Sequence, residues 1–126
     1  MRFLDTNVLA YAFYPNEYTE VCQRELLDGG ITDTFCLAEV FHIVLNNTRS
    51  KEKAQTAIKT ILKLNIEIID IDTNIIFEAI KKINKYDLSI YDMIHYISAL
   101  SNNCSSIMSF DKDFDRTEIK RVEPSS

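Results

Sequence analysis

A three-layer α/β fold, with a mostly parallel central sheet flanked by helices, is the architecture this 126-residue sequence predicts. Three observations predict it. Short apolar or β-branched runs alternate with longer segments of helical spacing, the pattern of a parallel sheet covered on both faces. One of those helical segments is apolar almost all round, which places it against the core. The composition, 46% apolar with only two Gly and two Pro, leaves one substantial core and no linker or repeat, so residues 1–126 are expected to form a single domain.

In chain order, Arg2–Asp5 reads as a strand and Val8–Tyr14 as a helix stopped at Pro15, which has no amide hydrogen to continue it. Glu17–Asp28 has helical spacing, with Val21, Leu26 and Leu27 apolar, and Gly29-Gly30 closes it. Ile31–Asp33 reads as a short second strand. Phe35–Asn47 is the nearly all-apolar helix, interrupted by Glu39, His42 and Asn46. Ser50–Leu64 is an amphipathic helix opened by Ser50 as N-cap, with Ala54, Ile58, Ile61 and Leu62 on one face. A third strand at Ile66–Ile71 precedes a helix over Thr73–Lys85. Ser89-Ile90-Tyr91-Asp92 has the form of a capping box and opens a helix through Asn102. Ser106–Phe110 is a last strand with Asp111-Lys112-Asp113-Phe114 at its C-terminal end, and Asp115 and the basic residues after it read as a solvated tail.

A net charge of -5 argues against a protein that coats nucleic acid through a general basic surface. The charge is segregated, however: residues 49–63 carry Arg49, Lys51, Lys53, Lys59 and Lys63 against Glu52 alone. Cys22, Cys36 and Cys104 are odd in number and show no metal-ligand spacing, as free thiols in a reducing compartment would. The first residues never build the apolar core of an export signal, and no apolar run approaches the length of a membrane span. A cytoplasmic protein without a membrane anchor is expected.

Three acids stand where a sheet-edge site forms, and a fourth, Glu39, lies within the apolar helix. In parallel sheets ligands bind beyond the C-terminal ends of the strands. Asp5 and Asp111 each follow a strand, and Asp92 opens a helix. Each has a local alternative: Asp5 as an acid at a helix N-terminus, Asp92 as the capping-box acid, and Asp111 with Asp113 as a turn closing the strand. Glu39 is costly in an apolar helix unless it is partnered, or it belongs to a solvated stripe with His42 and Asn46. His95 reads as a hydrogen-bonded packing residue rather than a ligand. Several carboxylates in one pocket repel unless neutralised, and oxygen-loving cations such as Mg²⁺ or Mn²⁺ neutralise them.

Phe3-Leu4-Asp5-Thr6-Asn7-Val8-Leu9, Ala38-Glu39-Val40, Tyr91-Asp92-Met93-Ile94-His95 and Ser109-Phe110-Asp111-Lys112-Asp113-Phe114 resemble, in order and spacing, the four motifs of the PIN-domain nucleases. The resemblance covers essentially the whole chain and is greatest to the VapC-type toxins of prokaryotic toxin–antitoxin pairs. It implies a PIN-like fold and metal-dependent hydrolysis of RNA phosphodiesters with Mg²⁺ or Mn²⁺. The catalytic and metal-binding acids it implies are Asp5, Glu39, Asp92 and Asp111, supported by Asn7, Ser109 and Asp113. It further implies a homodimer and a small antitoxin protein as partner. Arg49, Lys51 and Lys53 are candidates for the RNA backbone, with a solvated helix face as the alternative. Ser109 departs from the usual Thr but keeps the hydroxyl. Tyr96-Ile97-Ser98-Ala99 stands where the family has smaller residues.

Two rival readings differ in kind. One is a PIN fold used outside toxin systems, as a processing nuclease or an RNA-binding module; the intact acids favour chemistry. The other is a phosphoacceptor or phosphatase domain, which needs a second Asp two residues after the first or a Lys after a later core strand. The chain has Asn7 at that position and no such Lys.

Overall fold

The computed structural model of the chain describes residues 1–125. Strands β1 (Arg2–Leu4), β2 (Gly30–Asp33), β3 (Ile66–Ile69), β4 (Ser106–Met108) and β5 (Lys120–Val122) form one sheet in the order β3-β2-β1-β4-β5. Every neighbouring pair is parallel. The chain therefore builds the sheet outward from β1 in one direction, then returns to the other side of β1 to lay down β4. That reversal makes the C-terminal ends of β1 and β4 a topological switch point, where side chains from two connections converge.

Helices α1 (Thr6–Ala10), α2 (Thr19–Asp28), α3 (Thr34–Thr48) and α4 (Lys51–Lys63) lie in the connections on one side of the reversal. Helices α5 (Thr73–Lys81) and α6 (Ile90–Ser101) lie in the other. Right-handed crossovers running in opposite directions across the sheet put these two groups on opposite faces. In keeping with this, α3 packs on α4 and α1, while α5 packs on α6. The buried centre joins Phe3, Leu4, Ile31 and Ile107 of the sheet to Leu9, Val40, Val44, Ile61 and Met93 of the helices.

Local chemistry sets most boundaries. Asp5, Asp33, Ser50, Asp72 and Ser89 each accept a backbone N–H from the first turn of the helix that follows. Gly29, at φ 80°, ends α2 in a conformation that a side chain rarely adopts. The thiols of Cys22, Cys36 and Cys104 are free and buried. No helix among the described residues is long and apolar enough to cross a membrane.

The structure departs from the sequence expectations in four places. The first helix is shorter, giving way to a 3₁₀ turn at Tyr11–Phe13 well before Pro15. Helix α5 stops at Lys81, where Lys82 takes up a non-helical conformation. Helix α3 is not enclosed: it buries the stripe Cys36, Val40 and Val44 and leaves Phe35, Leu37, Phe41, Ile43 and Leu45 half-buried. The tail after Asp115 is not merely solvated, because Lys120–Val122 adds a fifth parallel strand beside β4.

Candidate active site

Asp5 is delivered by the end of β1 and held there by two donors. Its Oδ1 accepts the N–H of Thr6 at 2.8 Å, capping α1, and its Oδ2 accepts the Ser109 hydroxyl at 2.6 Å. The helix-cap alternative is thus realised by Oδ1, while Oδ2 is tied to the end of β4. Burial pushes the Asp5 carboxyl above its ordinary pKa, and the nearby charge of Glu39 adds to this against the opposing pull of His95, Ser109 and Thr6. Ser109 follows β4, is fully buried, and also accepts the N–H of Asp111 at 2.9 Å. One hydroxyl thereby ties the ends of β1 and β4 together.

Asp111 in turn caps a short 3₁₀ turn (Lys112–Arg116), its Oδ1 accepting the N–H of Asp113 at 2.9 Å. Across the switch point, the hydroxyl of Ser89 accepts the N–H of Asp92 at 3.1 Å and so caps α6. The hydroxyl does the capping, and the Asp92 carboxylate is turned toward Asp111. Oxygens of Asp92, Asp111 and Asp113 come within 4.8 Å of one another. Burial, the charges of Asp5 and Asp111, and a hydrogen bond with Asp111 raise the Asp92 pKa to about 7. These acids are short of positive charge, and a hard divalent cation suits an all-oxygen donor set.

Glu39 projects from α3 and meets Nε2 of His95 at 3.0 Å. His95 lies one turn after Asp92 on α6, and its Nδ1 meets Oδ2 of Asp33 at 2.7 Å. Burial by itself would lower the His95 pKa. The neighbouring Cys36 sulfur and hydrogen bonds with Asp33, Cys36 and Glu39 outweigh it and hold the imidazole well above its ordinary value. Asp5, Cys36 and His95 also offer ligand atoms within 4.8 Å of one another. That second group suits a metal less well. Both ring nitrogens of His95 are taken by carboxylates, and burial holds the Cys36 thiol up, away from thiolate.

The predicted acids therefore fall into a tight cluster of Asp92, Asp111 and Asp113, with Asp5 behind it on Ser109 and Glu39 reaching in through His95. Asn7 lies half-buried on the first turn of α1. Arg49, Lys51 and Lys53 are not part of this constellation. They are exposed at the far end of α3 and the start of α4, with Arg49 about 15 Å along the α3 axis from Glu39 at 1.5 Å per residue. Asp33 is the acid the sequence reading passed over. It ends β2 much as Asp5 follows β1, so the strand-end signal is present in the sequence.

The PIN-domain family model matches residues 2–120. No curated protein matches by sequence. Among solved structures, the chain is similar to the sarcin–ricin-loop-cleaving toxin VapC20 of Mycobacterium tuberculosis, with a TM-score of 0.80 and 16% identity over 97% of this chain and 98% of that one. It is similar to a toxin–antitoxin complex from Klebsiella pneumoniae, at TM-score 0.74 and 17% identity over 100% and 99% of the two chains. A third likeness, at TM-score 0.69 and 20% identity over 98% of each chain, is to VapBC2 of Rickettsia felis bound to a promoter DNA fragment. At these identities the structures speak for the fold, and the family match, which spans almost the whole chain, speaks for kinship: the chain belongs to the PIN-domain family.

Proposed function

We propose that this protein is a Mg²⁺- or Mn²⁺-dependent endoribonuclease, a single PIN domain acting in the cytoplasm as the toxin of a toxin–antitoxin pair. The observation that carries the reading is the meeting of Asp92, Asp111 and Asp113 at the switch point, with Asp5 and Glu39 close enough to add to the unbalanced negative charge. Asp5, Glu39, Asp92 and Asp111 would hold the cation, and Asp113 would assist. Bound there, such an ion supplies Lewis acidity toward a phosphate group and toward water.

The chain's own residues supply the preorganisation. Ser109 fixes Asp5 and the backbone of Asp111 in one arrangement, and the Ser89 cap frees the Asp92 carboxylate to face them. Ser109, the hydroxyl bonded to Asp5, is fully buried and tied to the Asp111 N–H, so hydrolysis by water is the chemistry that fits. Arg49, Lys51 and Lys53 would meet the RNA backbone at a distance from the acids, along the exposed side of α3. The purified protein is expected to cut single-stranded RNA when Mg²⁺ or Mn²⁺ is supplied and to stop in excess EDTA. Cleavage that persists in EDTA would sink the proposal.

A homodimer is part of the same reading. Leu27 of α2 and Leu62 of α4 are 72% and 58% exposed, and an apolar groove of about 300 Å³ runs between these helices past Phe13, Leu26 and Leu64. Association over that groove would remove the apolar surface from water. Light scattering at micromolar concentration is expected to give twice the chain mass. Co-expression of an adjacent small reading frame is expected to restore growth to cells poisoned by the chain.

A further inference from the structure

Among the described residues His95 is the one basic side chain buried beside the acids of the site, and it is held from both sides. Nδ1 meets Oδ2 of Asp33 at the end of β2, and Nε2 meets Oε1 of Glu39 on α3, at 2.7 Å and 3.0 Å. Its side chain and that of Asp33 are 1% and 0% exposed, whereas the Glu39 side chain is 41% exposed. The other oxygen of Asp33 is committed as well, accepting the Cys36 N–H at 2.8 Å to cap α3. The imidazole therefore cannot swing away without leaving a fully buried carboxylate short of a donor, which is a costly state. The cap also fixes the start of α3, the helix that carries Glu39 one turn later.

Glu39 is the opposite case. A half-exposed Glu has three rotatable bonds, and ordering such a side chain costs rotamer freedom. His95 is the side chain that holds it, and Asp33 holds His95. The geometry points to His95, braced by Asp33, as the positioning residue that keeps the Glu39 carboxylate aimed at the acid cluster before any cation arrives. A histidine between a buried carboxylate and a metal-binding carboxylate is an outer-shell support of the kind that sets ligand orientation. This inference rests on the metal-dependent reading of the site and adds to it two residues, Asp33 and His95, that touch neither RNA nor cation.

The test is Mn²⁺ binding to the RNA-free protein, followed by calorimetry and by the Mn²⁺ electron paramagnetic resonance spectrum. The variants are His95→Gln, Glu39→Gln, the two combined, Asp33→Asn and Asp92→Asn. His95→Gln is expected to weaken Mn²⁺ binding by about ten- to a hundredfold. The double variant is expected to bind no worse than Glu39→Gln alone, because both changes remove one interaction. Asp33→Asn keeps the helix cap and serves if His95→Gln fails to fold; it is expected to weaken binding about tenfold. In RNA cleavage, the Mn²⁺ concentration for half-maximal rate rises in His95→Gln while the rate at saturating Mn²⁺ is kept. A packing role for His95 would lower thermal stability without producing that split. Folded His95→Gln or Asp33→Asn with parental Mn²⁺ affinity, or losses at 95 and 39 that simply add, overturns the inference. Parental Mn²⁺ affinity in Asp92→Asn would overturn the metal-site reading and this inference together, whereas weakened Asp92→Asn beside an unaffected His95→Gln removes this inference alone.

Discussion

At the N-terminal end of the sheet, the guanidinium of Arg2 forms an ion pair with Glu25 and donates to the carbonyls of Glu25 and Gly29, at 2.6 Å and 3.0 Å. One cation meets one anion, and the remaining donors meet backbone acceptors. At the C-terminal end, Asp33 and Glu39 flank His95 with Asp5 beside it, and Asp92, Asp111 and Asp113 form a cluster of their own. Both ends hold partly or fully buried charge, so burial alone does not distinguish them. What differs is balance. The first end is satisfied by the chain itself, whereas the second holds more acids than His95 and Arg116 can balance.

The widest gap between the ends is expected in catalysis. Asp92→Asn and Asp5→Asn should each lower Mn²⁺-dependent RNA cleavage by on the order of a hundredfold or more, since each removes a charge the cation needs. Arg2→Ala should leave cleavage per folded molecule unchanged and instead destabilise the fold by roughly 1–3 kcal/mol, by stranding the partly buried Glu25. Initial rates corrected for folded fraction, alongside denaturant melts, separate the two. An Asp92→Asn protein that cuts normally would erase the contrast.

How much of this was readable in advance depended on whether a signal was local. Asp5, Asp111 and Asp92 announced themselves because each stands at a strand end or a helix start, and those ends meet at one edge in any parallel sheet. The pairing of Asp33 with His95 was not readable: the two are 62 residues apart in sequence, and each had a sufficient local reading, as a boundary and as a packing residue. Helix α3 misled because apolar content was taken for enclosure. Its half-buried residues mark surface that α1 and α4 do not reach. Strand β5 escaped because an edge strand of Lys120, Arg121 and Val122, exposed or half-buried, carries no apolar run.

A smaller effect sharpens the comparison through pH. The folded-state pKa of Asp92, about 7, lies above the roughly 3.9 of an unfolded Asp. Between those values the folded protein keeps a proton that the unfolded chain has lost, so metal-free stability should fall as pH rises through this window and level off above it. The raised Asp5 pKa acts in the same direction. Asp92→Asn should flatten the slope and melt higher than the parent at pH 8 without metal. Mn²⁺ must displace the same proton, so its stabilising effect on the parent should grow over this pH range. A parent protein whose metal-free stability rises from pH 4 to 7 would contradict the charge surplus.

The finest test lies within a single turn. Asp113 and Asp115 sit two residues apart after β4, alike in type, and the structure sends them to opposite fates. Asp113 offers an oxygen to the cluster with Asp92 and Asp111 and meets Arg116 at 3.1 Å. Asp115 is clasped by Arg121, Nε to Oδ1 at 2.9 Å and Nη2 to Oδ2 at 3.3 Å, and that hydrogen bonding holds its pKa below the ordinary value. Arg121 keeps a second anchor in Glu123 at 2.8 Å, so it can go on donating to the Ser109 carbonyl when Asp115 is neutralised. Asp113→Asn should therefore weaken Mn²⁺ binding and cleavage by about tenfold, as loss of an assisting carboxylate does. Asp115→Asn should match the parent in both, because Asp115 lies outside the cluster and Arg121 keeps its pairing with Glu123. Rates measured across a Mn²⁺ titration decide the matter: equal losses in the two variants would mean that the turn's overall negative charge, and not the carboxylate facing the cluster, is what the site uses.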